Sequence, residues 1–217
     1  MSIRILLADD HAVVRDGLKL LLENQPDVRV VGEATNGREA VREIGRLLPD
    51  IVLMDIAMPE LNGIAAAKQI SQDYPGTKII ILSMHSTSEH IYRSLKAGAR
   101  GYLLKESAGT EVVNAVHAVY GGGRYLSQKI SDRVIEDYLK KQDSGDVDNP
   151  FDRLSPRELE ILQLVAEGKS SADIARIVYL SPKTVETYRS RMMQKLGVSD
   201  IPGLVKLAIR YGLTSLE

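Results

Sequence analysis

Residues 50–60 read DIVLMDIAMPE, and the fold turns on how this stretch is taken. Ile51, Val52, Leu53 and Met54 form a continuous apolar run, as in a strand covered on both faces of a parallel sheet. Asp55 closes the run with a carboxylate, and Pro59 stops it from continuing as an interior strand. Ligands of open α/β sheets bind outside the carboxyl ends of the strands. Asp55 is therefore either a functional acid or a cap for the next turn, and the stretch alone weighs the two evenly.

Working outward, IRILLA (3–8), VRVVGEA (28–34), KIIILS (78–83) and GYLLK (101–105) read as further strands. Helical patterns fall between them at about 12–23, 37–48, 62–73, 87–97 and 108–120. Strands alternating with helices imply right-handed crossovers and a parallel sheet covered on both sides. Five such units fit a flavodoxin-like, doubly wound α/β domain over 1–123. GGGR (121–124) ends the pattern. The stretch 127–141 forms an amphipathic helix with Ile130, Val134, Ile135 and Tyr138 on one side. QDSGDVDNP (142–150) is polar, acidic and aperiodic, so 124–152 is expected to be a linker helix followed by a flexible linker. Residues 153–217 are expected to form a small all-helical domain.

Bulk properties narrow the classes. A chain of 217 residues suits one large or two small domains. Hydrophobic residues at 44% and charged residues at 26% are those of an ordinary soluble protein. No apolar run approaches a membrane span and the N-terminus has no leader pattern, so the cytosol is the expected compartment. The absence of cysteine excludes disulfides, thiol catalysis and cysteine-ligated zinc. The four histidines, His11, His85, His90 and His117, have no metal-cage spacing, and His11 and His90 read as surface residues. A slight acidic excess before residue 150 and a slight basic excess after it do not by themselves establish nucleic-acid binding.

Asp9 and Asp10 follow the first strand, Asp55 the third, Ser83 the fourth and Lys105 the fifth. Parallel strands aim their tips the same way, so these groups converge on one rim. Three crowded carboxylates repel and raise one another's pKa unless a cation sits among them. Oxygen ligands on an open rim suit Mg²⁺, which takes one or two carboxylates together with a phosphate. Aspartate can serve as nucleophile towards phosphorus, with Lys105 and Ser83 binding the phosphoryl oxygens. Solvated strand ends would account for any one of these residues but poorly for five at five suitable positions.

With ADDH (8–11), DIAMPELNG (55–63), ILSMH (81–85) and AGARGYLLK (97–105) in order, residues 1–120 resemble the receiver domain of two-component response regulators. The resemblance implies that Asp55 takes a phosphoryl group from a phosphohistidine on a sensor histidine kinase. It implies that Asp10, Asp55 and the backbone carbonyl of Ala57 hold Mg²⁺, with Asp9 acting behind them. It makes Ser83 and Tyr102 the switch pair, and places Ala57 and His85 beside the path of the hydrolytic water. On packing grounds alone, Tyr102 reads as a half-buried structural residue.

Helix punctuation runs through 154–200. Ser155, Pro156 and Glu158 form a cap, an N1 proline and a capping-box acid, and Gly168 ends that helix. Ser171 opens a second helix, and Ser181-Pro182 caps a third that Gly197 terminates. A short helix, a turn and a longer helix make the helix-turn-helix pattern, whose second helix enters the DNA major groove. On that helix Val185, Tyr188, Met192 and Leu196 share one face and are expected in the core. Lys183, Thr187, Ser190 and Gln194 fall opposite, with Glu186 and Arg191 at the margins. Lys183, Arg189, Arg191 and Lys195 stand against Glu186 alone, which suits phosphate contact. An ordinary solvated helix fits the pattern as well.

The segment 153–217 also resembles the LuxR-type helix-turn-helix of the NarL/FixJ family, most closely in SPKTVETYRSRMMQKLGV (181–198). That resemblance implies base-facing Glu186, Thr187 and Ser190 and phosphate-facing Lys183, Arg189 and Arg191, with Thr184 and Gln194 in the same interface. It implies double-stranded promoter DNA as partner, RNA polymerase as a further candidate, and a homodimer when phosphorylated, formed through the last helix (201–213). That helix carries Leu204, Ala208 and Tyr211 on one stripe. The expected protein is a transcription regulator with no enzymatic activity beyond the making and loss of its own phosphoaspartate. Two alternatives remain: a regulator of this architecture that ignores phosphorylation, and a Mg²⁺-dependent aspartyl-phosphate phosphatase. The second normally sets its acids as D-x-D on the first strand, where this chain has adjacent acids.

Overall fold

The apolar run at 51–54 lies near the middle of a parallel sheet and is buried throughout. The computed structural model describes residues 2–84, 86–143 and 150–214. His85, residues 144–149 of the expected linker and the side chain of Tyr138 lie outside the described residues. The chain divides into two compact units, Met1–Ser144 and Gly145–Glu217. Among the described residues no helix is long and apolar enough to cross a membrane.

Among the described residues the first unit has six strands: β1 (Ile3–Ala8), β2 (Val28–Ala34), β3 (Ile51–Asp55), β4 (Lys78–Ser83), β5 (Gly101–Leu104) and β6 (Tyr125–Leu126). Their order is β2-β1-β3-β4-β5-β6, all pairs parallel. Successive side chains in a strand point to opposite faces, so these apolar runs feed two cores. Ile5, Leu7, Ile51, Leu53, Ile80, Leu82 and Leu103 pack on one side, against α1 (Ala12–Glu23) and α5 (Ala108–Tyr120). Leu6, Ala8, Val52, Met54, Ile79, Ile81, Tyr102 and Leu104 pack on the other. That side is covered by α2 (Gly37–Leu47), α3 (Gly63–Asp73), α4 (Ser88–Lys96) and the start of α6 (Gln128–Asp143). The order reverses between β1 and β3, and a doubly wound sheet leaves its ligand crevice at such a point.

Several details differ from the sequence reading. GGGR does not end the sheet, because Tyr125 and Leu126 pair with Gly101 and Tyr102 as a sixth strand. Two residues are too few to show a period, which hides the strand from pattern reading. Lys105 lies in a 3₁₀ turn (Lys105–Ser107) that follows β5 rather than within the strand. On α6, Ile130 is fully buried and Val134 packs beside it, but Ile135 is 59% exposed, because the buried stripe is narrower than expected. His90 is buried, with its Nδ1 2.6 Å from the Thr87 hydroxyl at the start of α4.

The second unit contains α7 (Pro156–Ala166), α8 (Ser171–Ile177), α9 (Pro182–Leu196) and α10 (Ile201–Arg210). Each begins on a side-chain cap. The Ser155 amide donates to Glu158 Oε2 at 2.7 Å while Glu158 N–H reaches back to Ser155 Oγ, completing the capping box. Ser170, not Ser171, caps α8, and Ser181 and Asp200 cap α9 and α10. Gly197 ends α9 with φ 67°, a left-handed conformation that favours glycine. Val185 and Met192 are buried, with Tyr188 and Leu196 packed at the edge of the same core. Leu204 and Ala208 are buried in it too, and Tyr211 stacks at a tilt on Phe151, so the stripe on α10 closes the unit's own core.

Candidate functional site

Burial and charge conflict at the carboxyl end of β3. Asp55 is 3% exposed, and burial pushes its carboxyl above the usual carboxylate range. Lys105 opposes that shift: its Nζ lies 2.7 Å from Asp55 Oδ2 and 2.7 Å from Asp9 Oδ2. The Ala57 amide also donates to the Asp55 carboxylate. For Lys105, burial alone would lower the pKa, but its bonds to Asp55 and Asp9 outweigh burial and leave the ammonium above its ordinary value. One partly buried cation thus bridges two buried acids.

Asp10 stands at the same rim and is partly open to solvent. Asp9, Asp10, His11 and Asp55 each offer one ligand atom, all within 4.8 Å of one another. Three carboxylate oxygens at that spacing make a hard donor set that fits a divalent oxygen-seeking cation. His11, read as a surface residue, is mostly exposed, yet its Nδ1 sits 2.7 Å from Asp10 Oδ1 and 3.2 Å from Asp9 Oδ1. Its adjacency to the acid pair was visible in the sequence, but its rotamer was not.

Backbone packing holds the rim in place. Gly63 opens α3 directly against the backbone of Asp55, and a Cβ there would run into the Asp55 carbonyl. Asn62, buried, caps α3 by accepting from the Ala65 amide at 2.9 Å. Arg15 of α1 donates to the Asp9 carbonyl at 2.7 Å. Neither Gly63 nor Arg15 was singled out by sequence, although the glycine of DIAMPELNG was the available signal.

Ser83 and Tyr102 meet inside the sheet rather than at solvent. Both are fully buried and their hydroxyls are hydrogen-bonded. Burial pushes the Tyr102 phenol up to about 12, with the bond to Ser83 pulling the other way. Tyr102, expected half-buried on packing grounds, points wholly inward.

In the second unit, Lys183, Glu186, Thr187, Ser190, Arg191 and Gln194 are all exposed along α9, and Thr184 is half-buried at their edge. Thr187 Oγ1 donates back to the Lys183 carbonyl at 3.0 Å. Arg189 faces elsewhere: Nη1 donates to Ser171 Oγ at 2.7 Å and Nη2 to the Lys169 carbonyl at 3.3 Å, bracing α9 against the start of α8. Lys195 is paired with the buried Glu158 at 2.7 Å, so its charge is spent within the unit.

A doubly wound receiver with an acid rim, joined to a helix-turn-helix, defines a class, and known protein families match both parts. Residues 5–117 match the response regulator receiver domain, and residues 152–208 match the bacterial regulatory proteins of the luxR family. The chain belongs to the two-component response regulators that carry a LuxR-type DNA-binding domain, and it acts as a transcription regulator. It is 38% identical to the oxygen regulatory protein NreC of Staphylococcus carnosus over 213 residues, covering 97% of this chain and 98% of that protein. A LuxR-family response regulator from Aurantimonas matches with TM-score 0.62 at 37% identity, over 64% of this chain and 99% of that one. The response regulator RcsB, solved in complex with DNA, matches with TM-score 0.59 at 29% identity, over 95% and 98% of the two chains.

Proposed function

We propose that Asp55 is the phosphoacceptor, and that its modification switches dimerisation and promoter binding by the second unit. The observation that carries this reading is the buried Asp55 carboxylate, bridged by Lys105 to Asp9 at the β1/β3 crevice. An Asp55 oxygen forms the bond to phosphorus, the phosphorus–nitrogen bond of the donor phosphohistidine breaks, and its electron pair returns to the imidazole. Lys105 then transfers its hydrogen bond from the carboxylate to a phosphoryl oxygen, which keeps the added charge paired. Asp10, Asp55 and the Ala57 carbonyl would hold Mg²⁺, with Asp9 behind them, and the ion would neutralise charge on the transferring group. Ser83 turns its hydroxyl from Tyr102 to the phosphoryl group, so the added group is reported to β5. The chain's own chemistry stops at forming and losing this phosphoaspartate, in a cytoplasmic protein.

Lys183, Thr184, Glu186, Thr187, Ser190, Arg191 and Gln194 form the DNA-facing side of α9, and dimers place two copies on half-sites about one helical turn apart. Arg189, engaged with α8, supports that face from behind. RNA polymerase is the further partner of a promoter-bound dimer. The receiver takes in β6 and the start of α6, which complete its sheet and core, and 153–217 is the DNA-binding domain.

Incubation with a small phosphodonor and Mg²⁺ tests the site. One phosphoryl group is expected per chain, and none on Asp55→Asn. Full labelling of Asp55→Asn would remove the assignment.

A further inference from the structure

α8 ends in a geometry that asks for glycine, and the chain supplies tyrosine. Leu180 N–H bonds to the Ala175 carbonyl at 2.9 Å, closing the loop that follows a left-handed residue after a helix. That residue is Tyr179, at φ 55°. A left-handed conformation is disfavoured for any bulky side chain. The surroundings enforce it: Arg157 donates to the Val178 carbonyl, and Val178 and Leu180 on either side pack into the unit's core. The ring returns nothing to folding, because Tyr179 is 91% exposed. Strain with no burial to offset it points to a contact outside the unit.

The position says what that contact is. Tyr179 lies two residues before Ser181, the cap of α9, whose first turn holds no acid and whose Lys183 is exposed. The amino end of this 15-residue helix favours anions. Tyrosine hydroxyls are among the side-chain groups that bind DNA phosphates. We propose that Tyr179 contacts DNA, its phenol donating a hydrogen bond to a backbone phosphate beside the groove that α9 enters. The proposal rests on DNA binding through α9.

The test uses the full chain with Tyr179→Gly and Tyr179→Phe, titrated with salt on a preferred and a scrambled duplex, with thermal unfolding in parallel. Both variants are expected to bind both duplexes about 10-fold more weakly, the scale of a hydrogen bond to a charged group. The salt slope stays unchanged, since a neutral phenol releases no counterion. Tyr179→Gly should unfold no earlier than the parent, which separates the loss from misfolding. Parent-like binding by Tyr179→Gly overturns the proposal, and if transcription falls at the same time the ring serves a protein partner instead. Parent-like binding by Tyr179→Phe overturns the phosphate bond. A parent chain that binds neither duplex at low salt overturns the DNA-binding reading itself.

Discussion

A buried carboxylate and a buried phenol titrate in opposite directions of usefulness. As the proposed phosphoacceptor, Asp55 would have to be ionised to attack phosphorus, yet burial favours its protonated form, and Lys105 keeps the charged form accessible. Lys105→Ala should therefore leave two buried acids without their cation, weakening both the fold of the rim and phosphoryl transfer. Burial likewise favours the neutral form of Tyr102. An unfolded phenol ionises near pH 10, whereas Tyr102 holds its proton to about 12. The folded state therefore binds the extra proton between these values. The stability it contributes is complete below pH 10 and is lost as pH rises through 12, by about 3 kcal/mol in all. Urea unfolding of Tyr102→Phe at pH 9 and pH 11.5 checks this: the parent should lose more over that interval than the variant. Equal losses would mean the phenol is not held neutral. The five polar strand ends were legible because parallel topology gathers them wherever their side chains point. The inward turn of Tyr102, the approach of His11 and the space required at Gly63 depend on rotamers and backbone proximity, which no local pattern encodes.

Single elements show which signals survive folding. Each of the four described α-helices of the second unit begins on a side-chain cap, and three of those caps were readable as Ser or Ser-Pro, with only the α8 cap displaced by one residue. Ser155→Ala should cost about 1 kcal/mol in the unfolding of that unit, because it removes half of the capping box. A change below about 0.2 kcal/mol would mean the box is redundant there. The short β6 and the orientation of α10 were not legible, since two residues have no period and an amphipathic stripe does not say which neighbour it meets. On α9 the exposed face is divided. Arg191 is charged, so Arg191→Ala should weaken binding to every duplex and lower the salt slope by roughly one unit. Thr187→Ala should instead relax preference at one base position, on the order of 1–3 kcal/mol. The opposite pattern would mean that α9 is rotated about its axis relative to the groove.

At the scale of the molecule the question is where the receiver ends. Sequence reading placed its boundary at 123, where the helix-strand alternation stops. Yet the Tyr125 amide donates to the Arg100 carbonyl at 3.0 Å and the Ser127 amide to the Tyr102 carbonyl at 3.1 Å. These bonds satisfy the edge of β5, the strand that carries Tyr102. Ile130 is buried in the same cluster as Tyr102, with Leu126 and Val134 packed against it. A fragment ending at 123 loses those bonds and uncovers that side of β5, whereas one ending at 143 keeps both. The shorter fragment should be less stable by about 2–5 kcal/mol, the range for deleting one large buried aliphatic side chain. Denaturant titration of both fragments, with Ile130→Ala in the longer one, measures the difference. Ile130→Ala should reproduce a large part of that loss while the strand bonds remain. If the fragments match within 0.5 kcal/mol, β6 and α6 add nothing to the fold. If the loss is found, the segment leaving the receiver is tied by backbone bonds to the strand bearing Tyr102, and any shift of that strand on phosphorylation acts on α6 directly.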